Sequence, residues 1–177
     1  MKKLIFSMAT LLAFTAVFAI TVAQNWTITN KYNIKFSSND VAGIFKTFKG
    51  AIAFDEANPA ASKFDVTIDV ASINTGNGLQ NKHAKGEEWF DATKYPVIKY
   101  TSKKVVKAGN TYQVTGDLQI RGITKETTIP FTFKQAGGAG TFTGSFTVNR
   151  SDFKIGKPGG DVAEQIKIDI SVPVTKG

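Results

Sequence analysis

The sequence predicts an all-β fold, an antiparallel barrel of about eight strands with one short helix covering an end. Three observations lead there. Apolar and polar residues alternate with a period of two from residue 26 to 174, the signature of half-buried strands. The connections between these runs are short and carry turn residues, as in Ala108-Gly109-Asn110 and Gly137-Gly138-Ala139-Gly140, which suits an up-and-down meander. One longer interruption, residues 74 to 96, reads differently. A two-sheet sandwich is the competing architecture. The barrel is preferred because no long crossover separates the later strands, as Greek-key connections require.

Taken in order, Trp26 and Ile28, then Tyr32, Ile34 and Phe36, share one face, with Thr27, Thr29, Asn33 and Lys35 on the other. Phe48, Gly50, Ile52 and Phe54 continue the pattern up to the turn stretch Asp55-Glu56-Ala57-Asn58-Pro59. Phe64, Val66, Ile68 and Val70 then alternate with Lys63, Asp65, Thr67 and Asp69. In the interruption, Asn74-Thr75-Gly76-Asn77-Gly78 is turn material, and Leu79 to Trp89 reads as a helix with Leu79, His83 and Gly86 on one side. Such a helix between strands would cap the barrel. Ile98 and Tyr100 resume the alternation. Tyr112, Val114, Gly116, Leu118 and Ile120 follow, then Ile129, Phe131 and Phe133. Phe142, Gly144, Phe146 and Val148, and finally Ile166, Ile168, Ile170 and Val172, complete the set.

Before the strands, Met1-Lys2-Lys3 leads an apolar run from Leu4 to Ile20 that ends in small residues at Thr21-Val22-Ala23. This is the pattern of a secretory signal peptide with cleavage after Ala23. Residues 1–23 are therefore expected to be an address, and 24–177 a single domain working in the periplasm or secreted. The run is short for a membrane span and no basic cluster follows it.

Composition excludes several classes. Without cysteine there is no disulfide framework, thiolate metal site or cysteine nucleophile. One histidine leaves no H-E-x-x-H or similar zinc spacing. The 22 Lys+Arg against 14 Asp+Glu give +8; with Lys2 and Lys3 removed, 20 against 14 leave +6. The lysines are scattered rather than clustered, so nucleic acid is not expected as a partner. The chain has no G-x-S-x-G elbow, no phosphate-cradling loop and no Ser/His/Asp set. His83 is read as structural rather than catalytic, Arg150 as paired with Asp152, and Arg121-Gly122 as a tight hairpin turn.

An eight-stranded barrel is either filled by its own side chains or holds one slender ligand. Gly50, Gly116 and Gly144 share the inward parity of the aromatics. They either leave a groove along the axis or let bent strands turn corners. On the groove reading, Gly116→Leu or Gly144→Leu blocks a ligand and spares the fold. The lining is almost free of ionisable groups, which suits hydrocarbon. The expected wall is Phe36, Phe48, Phe54, Phe131, Phe133, Phe142 and Phe146, with Tyr100 and Leu118 on the same face and His83, Trp89 and Phe90 near the capping helix.

A family resemblance is carried by Phe48-Lys49-Gly50, Phe54-Asp55, Ile68-Asp69, Ser72-Ile73-Asn74-Thr75, Asn81-Lys82-His83, Phe90-Asp91, Lys94-Tyr95-Pro96, Gly116 to Lys125 and Asn149-Arg150-Ser151-Asp152-Phe153. In order and spacing these resemble the YceI-like family of polyisoprenoid-binding proteins. The resemblance implies an exported, lipocalin-like barrel whose apolar tunnel takes an isoprenoid chain, such as that of a quinone or a prenyl phosphate. Family members commonly carry a His-Ser pair after the first strand segment and a second His in a longer connection before the Gly-x-Phe run. Here Lys31-Tyr32 and the short Ser37 to Ala42 stretch stand in those places, which bears on the tunnel mouth and the head-group contacts. His83 matches a family position.

The expected function is thus a non-enzymatic carrier or scavenger of an isoprenoid lipid, requiring no cofactor. A membrane electron-transfer protein is a further candidate partner, and a homodimer is left open. The alternatives are a protein-interaction module with a filled barrel and an enzyme using His83 as base with Arg150 or Arg121 steadying an anion.

Overall fold

The computed structural model describes residues 23–177, so the expected signal peptide, Ala23 apart, lies outside the described residues. The strands are β1 (Gln24–Ile28), β2 (Asn33–Ser37), β3 (Ala42–Phe45), β4 (Phe48–Phe54), β5 (Lys63–Asp69), β6 (Ile73–Asn74), β7 (Val97–Ala108), β8 (Thr111–Ile120), β9 (Ile123–Ala136), β10 (Ala139–Asn149) and β11 (Gln165–Lys176), with one α-helix, α1 (Gly78–Lys85). They form one antiparallel sheet that closes where β1 meets β11.

Eleven strands and a barrel of eight staves are the same object. β1 and β2 both pair with β11, at its opposite halves. β4 lies against β1 and β3 against β2, and β5 lies against β4 and β6 against β3. Each of the first three staves is one long strand broken by a bend. At a bend the ladder loses partners, and buried backbone groups must find others. Tyr32 Oη supplies them, donating to the Lys46 carbonyl at 2.9 Å and accepting from the Phe48 amide at 3.1 Å. Ser72 serves the same bend, its Oγ accepting from the Thr47 amide at 3.0 Å.

Two glycines take the corner-turning role. Gly50 has φ +147°, and a Cβ there would lie 2.2 Å from the Asp65 carbonyl oxygen. Gly116 faces the point where the β7–β8 register shifts between Ser102 and Lys104, and a Cβ would lie 2.4 Å from the Thr101 carbonyl oxygen. Bulges and close backbone approach are the usual reasons for a glycine within a strand.

The helix is shorter than expected. Asn77 caps it by accepting from the Leu79 and Gln80 amides, Gly86 ends it, and Glu87 to Phe90 follow as turns. None of its residues is buried, and Leu79 is 63% exposed.

One end of the barrel is solid. Phe54, 1% exposed, has ring centroids of Tyr112, Phe133, Phe142 and Phe131 at 5.0, 5.1, 5.3 and 5.5 Å. Trp26, buried on the inward face of β1, extends this plug, edge-on to Phe133 at 5.0 Å, with its indole N–H donating to the Phe54 carbonyl at 3.1 Å.

One seam departs from full pairing. The β9–β10 ladder runs from Ala136↔Ala139 to Phe131↔Gly144 and stops there. β9 nonetheless stays paired to β8 as far as Ile123, and β10 to β11 as far as Asn149.

Candidate functional site: an apolar chamber with a pinned mouth

Between the plug and the helix the barrel is hollow. A cavity of about 290 Å³ lies under α1, and a second of about 130 Å³ lies deeper, against the plug. Ile34, Ile68, Ile98, Leu118, Phe146 and Ile168 line both, so the two are lobes of one chamber. Strand alternation places these side chains: each sits on the inward parity of its stave. A chamber lined this way holds no partners for water and favours hydrocarbon.

The polar side chains of the outer lobe are Asp40, Thr75, Gln80, His83 and Arg150, while Lys35 borders it from the outward parity of β2 and is exposed. Two of these hold the rim in shape. Arg150 is 3% exposed, and its guanidinium donates to backbone carbonyls along residues 155–163. Nη1 reaches Ile155 at 2.7 Å, Nη2 reaches Val162 at 2.7 Å, and Nε lies between Val162 at 3.2 Å and Ala163 at 3.1 Å. Both Nη atoms also approach the Lys157 carbonyl at 3.1 Å. Glu164, rather than the expected Asp152, is its ionic partner at 3.2 Å, and the Trp89 ring lies 5.8 Å from the guanidinium carbon. A guanidinium has five N–H donors, and here they are occupied. Asp40, in the short Ser37 to Ala42 connection, accepts from the Ala163 amide at 3.0 Å, tying that connection to the same loop.

Glu164 completes the latch. Hydrogen bonds from Ser151 Oγ and then from the Gly159 amide, with Arg150 beside it, hold its carboxyl below the usual carboxylate range. Arg121 has a similar carbonyl-binding role on the other flank: it donates to the carbonyls of Glu87, at 3.0 Å, and of Lys154. Both arginines that were candidates to steady an anion are therefore engaged with backbone. Deeper in, Tyr100 Oη lies 3.0 Å from the Val114 carbonyl and 3.1 Å from that of Thr127. Burial, and then the charges of Asp117 and Glu126, push its ionisation well above the ordinary tyrosine value, so it stays a neutral donor.

The expected wall divides. Phe36, His83, Trp89 and Phe90 line the outer lobe, and Phe48, Tyr100, Phe131, Phe142 and Gly144 the inner one; Leu118 and Phe146 line both. Phe54 and Phe133 line neither and belong to the plug. Gly50 and Gly116 line neither, because their missing side chains make room for backbone rather than for a ligand. Ile34, Ile68, Ile98 and Ile168 share the inward parity of the aromatics and line both lobes, so aliphatic side chains make up much of the wall. Ile155 and Val162 come from an irregular loop that carries no periodicity. Among the described residues no group of three or more His, Cys, Asp or Glu stands close enough to hold a metal ion.

The sequence profile of the YceI-like domain matches residues 21–174. The chain belongs to the YceI-like family. Protein YceI of Shigella flexneri is 35% identical over 140 residues, covering 73% of this chain and 71% of that protein. UPF0312 protein plu2095 of Photorhabdus laumondii is 47% identical over 83 residues, 47% of this chain, and the match spans 43% of that protein's length. The crystal structure of Burkholderia cenocepacia BcnA superposes with a TM-score of 0.79 at 34% identity, over 82% of this chain and 97% of that one. A polyisoprenoid binding domain from Saccharophagus degradans, implicated in plant cell wall breakdown, shares the fold with a TM-score of 0.63 at 13% identity, over 89% of this chain and all of that one. The YceI-like barrel, closed and antiparallel with one helix, is thus common to this chain and its relatives.

Proposed function

We propose that the protein is a non-catalytic lipid carrier working outside the cytoplasm, burying an isoprenoid or comparable long chain in the two-lobed chamber. The observation that carries this reading is the chamber itself: continuous, apolar along its length and polar at one end only. Each CH2 buried against such a wall contributes about 0.8 kcal/mol, so affinity accrues along the chain with few polar contacts. The likeness in fold to a polyisoprenoid binding domain supports the same class of ligand. The head group is assigned to the rim. With Arg150 engaged, its contacts fall to Gln80 and His83 on the helix and to Thr75 before it, all of which line the outer lobe.

A filled-core interaction module matches only the plugged half of the barrel. For an enzyme, His83 stands at the rim without either arginine free to assist it. The test is native mass spectrometry of protein taken from its own compartment, with organic extraction and lipid identification. A stoichiometric isoprenoid is expected. Protein that is empty, and stays empty after incubation with quinones and prenyl phosphates, overturns the reading.

A further inference from the structure

We propose that the unpaired seam between β9 and β10 is a side portal through which the apolar chain of the lipid slides into the chamber, an inference that rests on the carrier reading above. At this seam Ile123–Pro130 and Ser145–Asn149 face each other without a ladder, although each stays paired on its far side. The gap has defined ends. At the inner end the ladder begins at Phe131↔Gly144. At the outer end Arg121, in the turn before β9, clasps the carbonyl of Lys154, just after β10.

The seam leads to the right place. A shallow groove of about 480 Å³ on the outside of the barrel shares Phe131, Thr143, Gly144 and Ile170 with the inner lobe. Phe146, on the free edge of β10, lines both lobes and is only half-buried. Lys125 shares the inward face of Leu118 by register but is exposed, as expected where the neighbouring stave has drawn away.

Two other routes are less open. The far end of the barrel is closed by the Phe54 plug, and the mouth is held by loop carbonyls on Arg150. The seam is also poorly made for adding a peptide strand. Pro130 turns its carbonyl toward Gly144, 2.8 Å from where a Cβ would stand, so its missing N–H falls on the seam side. Lys125 and Glu126 put charge on the same edge. Proline and charge are the devices that discourage strand addition, whereas a hydrocarbon chain needs no backbone partner.

Continuing the β9–β10 register beyond Phe131↔Gly144 sets Thr128 opposite Thr147, both exposed. The chain has no cysteine, so Thr128→Cys with Thr147→Cys can be bridged across the seam by a short bismaleimide without side reactions. The probe is a short-chain isoprenoid quinone, whose arrival quenches Trp89 in the outer lobe and is followed by stopped flow. Bridging is expected to slow quenching by about tenfold or more, within the range of on-rates one site shows when access changes, with the final amplitude preserved. Arg121→Gln, which removes the clasp, is expected to speed it. An unchanged rate on bridging overturns the portal and leaves the carrier reading standing, with entry by the mouth. No quenching in the unbridged protein overturns the carrier reading and the portal with it.

Discussion

Phe54 was expected to line a ligand and instead anchors the plug. Burial against four aromatic rings predicts that Phe54→Ala costs about 3–5 kcal/mol of stability, read by chemical denaturation, while lipid capacity in the folded fraction is unchanged. A loss of capacity with normal stability would return Phe54 to the wall. Gly116 gives the opposite prediction to the groove reading. With backbone oxygen 2.4 Å from the site of a Cβ, even Gly116→Ala lowers stability, because the register shift opposite cannot absorb a methyl group. Gly144 combines both roles, since the Pro130 carbonyl oxygen lies 2.8 Å from the site of a Cβ and the residue also lines the inner lobe. Three glycines of one parity looked alike in the sequence. They separate only once the approach of a neighbouring strand is known, and local pattern does not contain that.

Among the elements, the loop of residues 155–164 depends on ionised Glu164. A carboxyl whose value is lowered on folding contributes stability that is complete above the unfolded glutamate value, about 4.3, and is lost as pH falls through the folded value. Amide exchange of residues 157–164 should therefore be slow and pH-independent, after correction for intrinsic rates, down to the ordinary carboxylate range, and should rise below it. A loop that loosens at neutral pH would show that Glu164 is not its tie. Strands β8, β10 and β11 were legible because strict alternation survives along their ladders, whereas β7 was read only at Ile98 and Tyr100, since the register shift between Ser102 and Lys104 moves burial to the odd position Val105. The first stave kept its inward parity from Trp26 to Phe36, but β3 and β6 were not read as strands, because the bends beside them shift the inward parity from Phe45 to Phe48 and from Val70 to Ile73. The mouth was least legible: Arg150 draws in carbonyls from a loop with no period, and its partner proved to be Glu164, not its near neighbour Asp152.

For the whole molecule, a ligand that binds the closed barrel and not the unfolded chain raises stability by about 2.7 kcal/mol at a hundredfold excess over Kd. At about 2–4 °C per kcal/mol for a chain of this size, a midpoint shift of about 5–11 °C is expected by calorimetry with a bound isoprenoid. The shift should shrink in Leu118→Trp, which fills the junction of the two lobes. The same closed architecture has a consequence for biogenesis. β11 follows the other described strands in the sequence, and it alone joins β10 to both β1 and β2. The contacts that close the wall thus span almost the full sequence, and such contacts form late and slowly. Until Gln165–Lys176 takes its place, the wall has two raw edges and no sealed interior, so the chamber can retain no ligand before that strand docks.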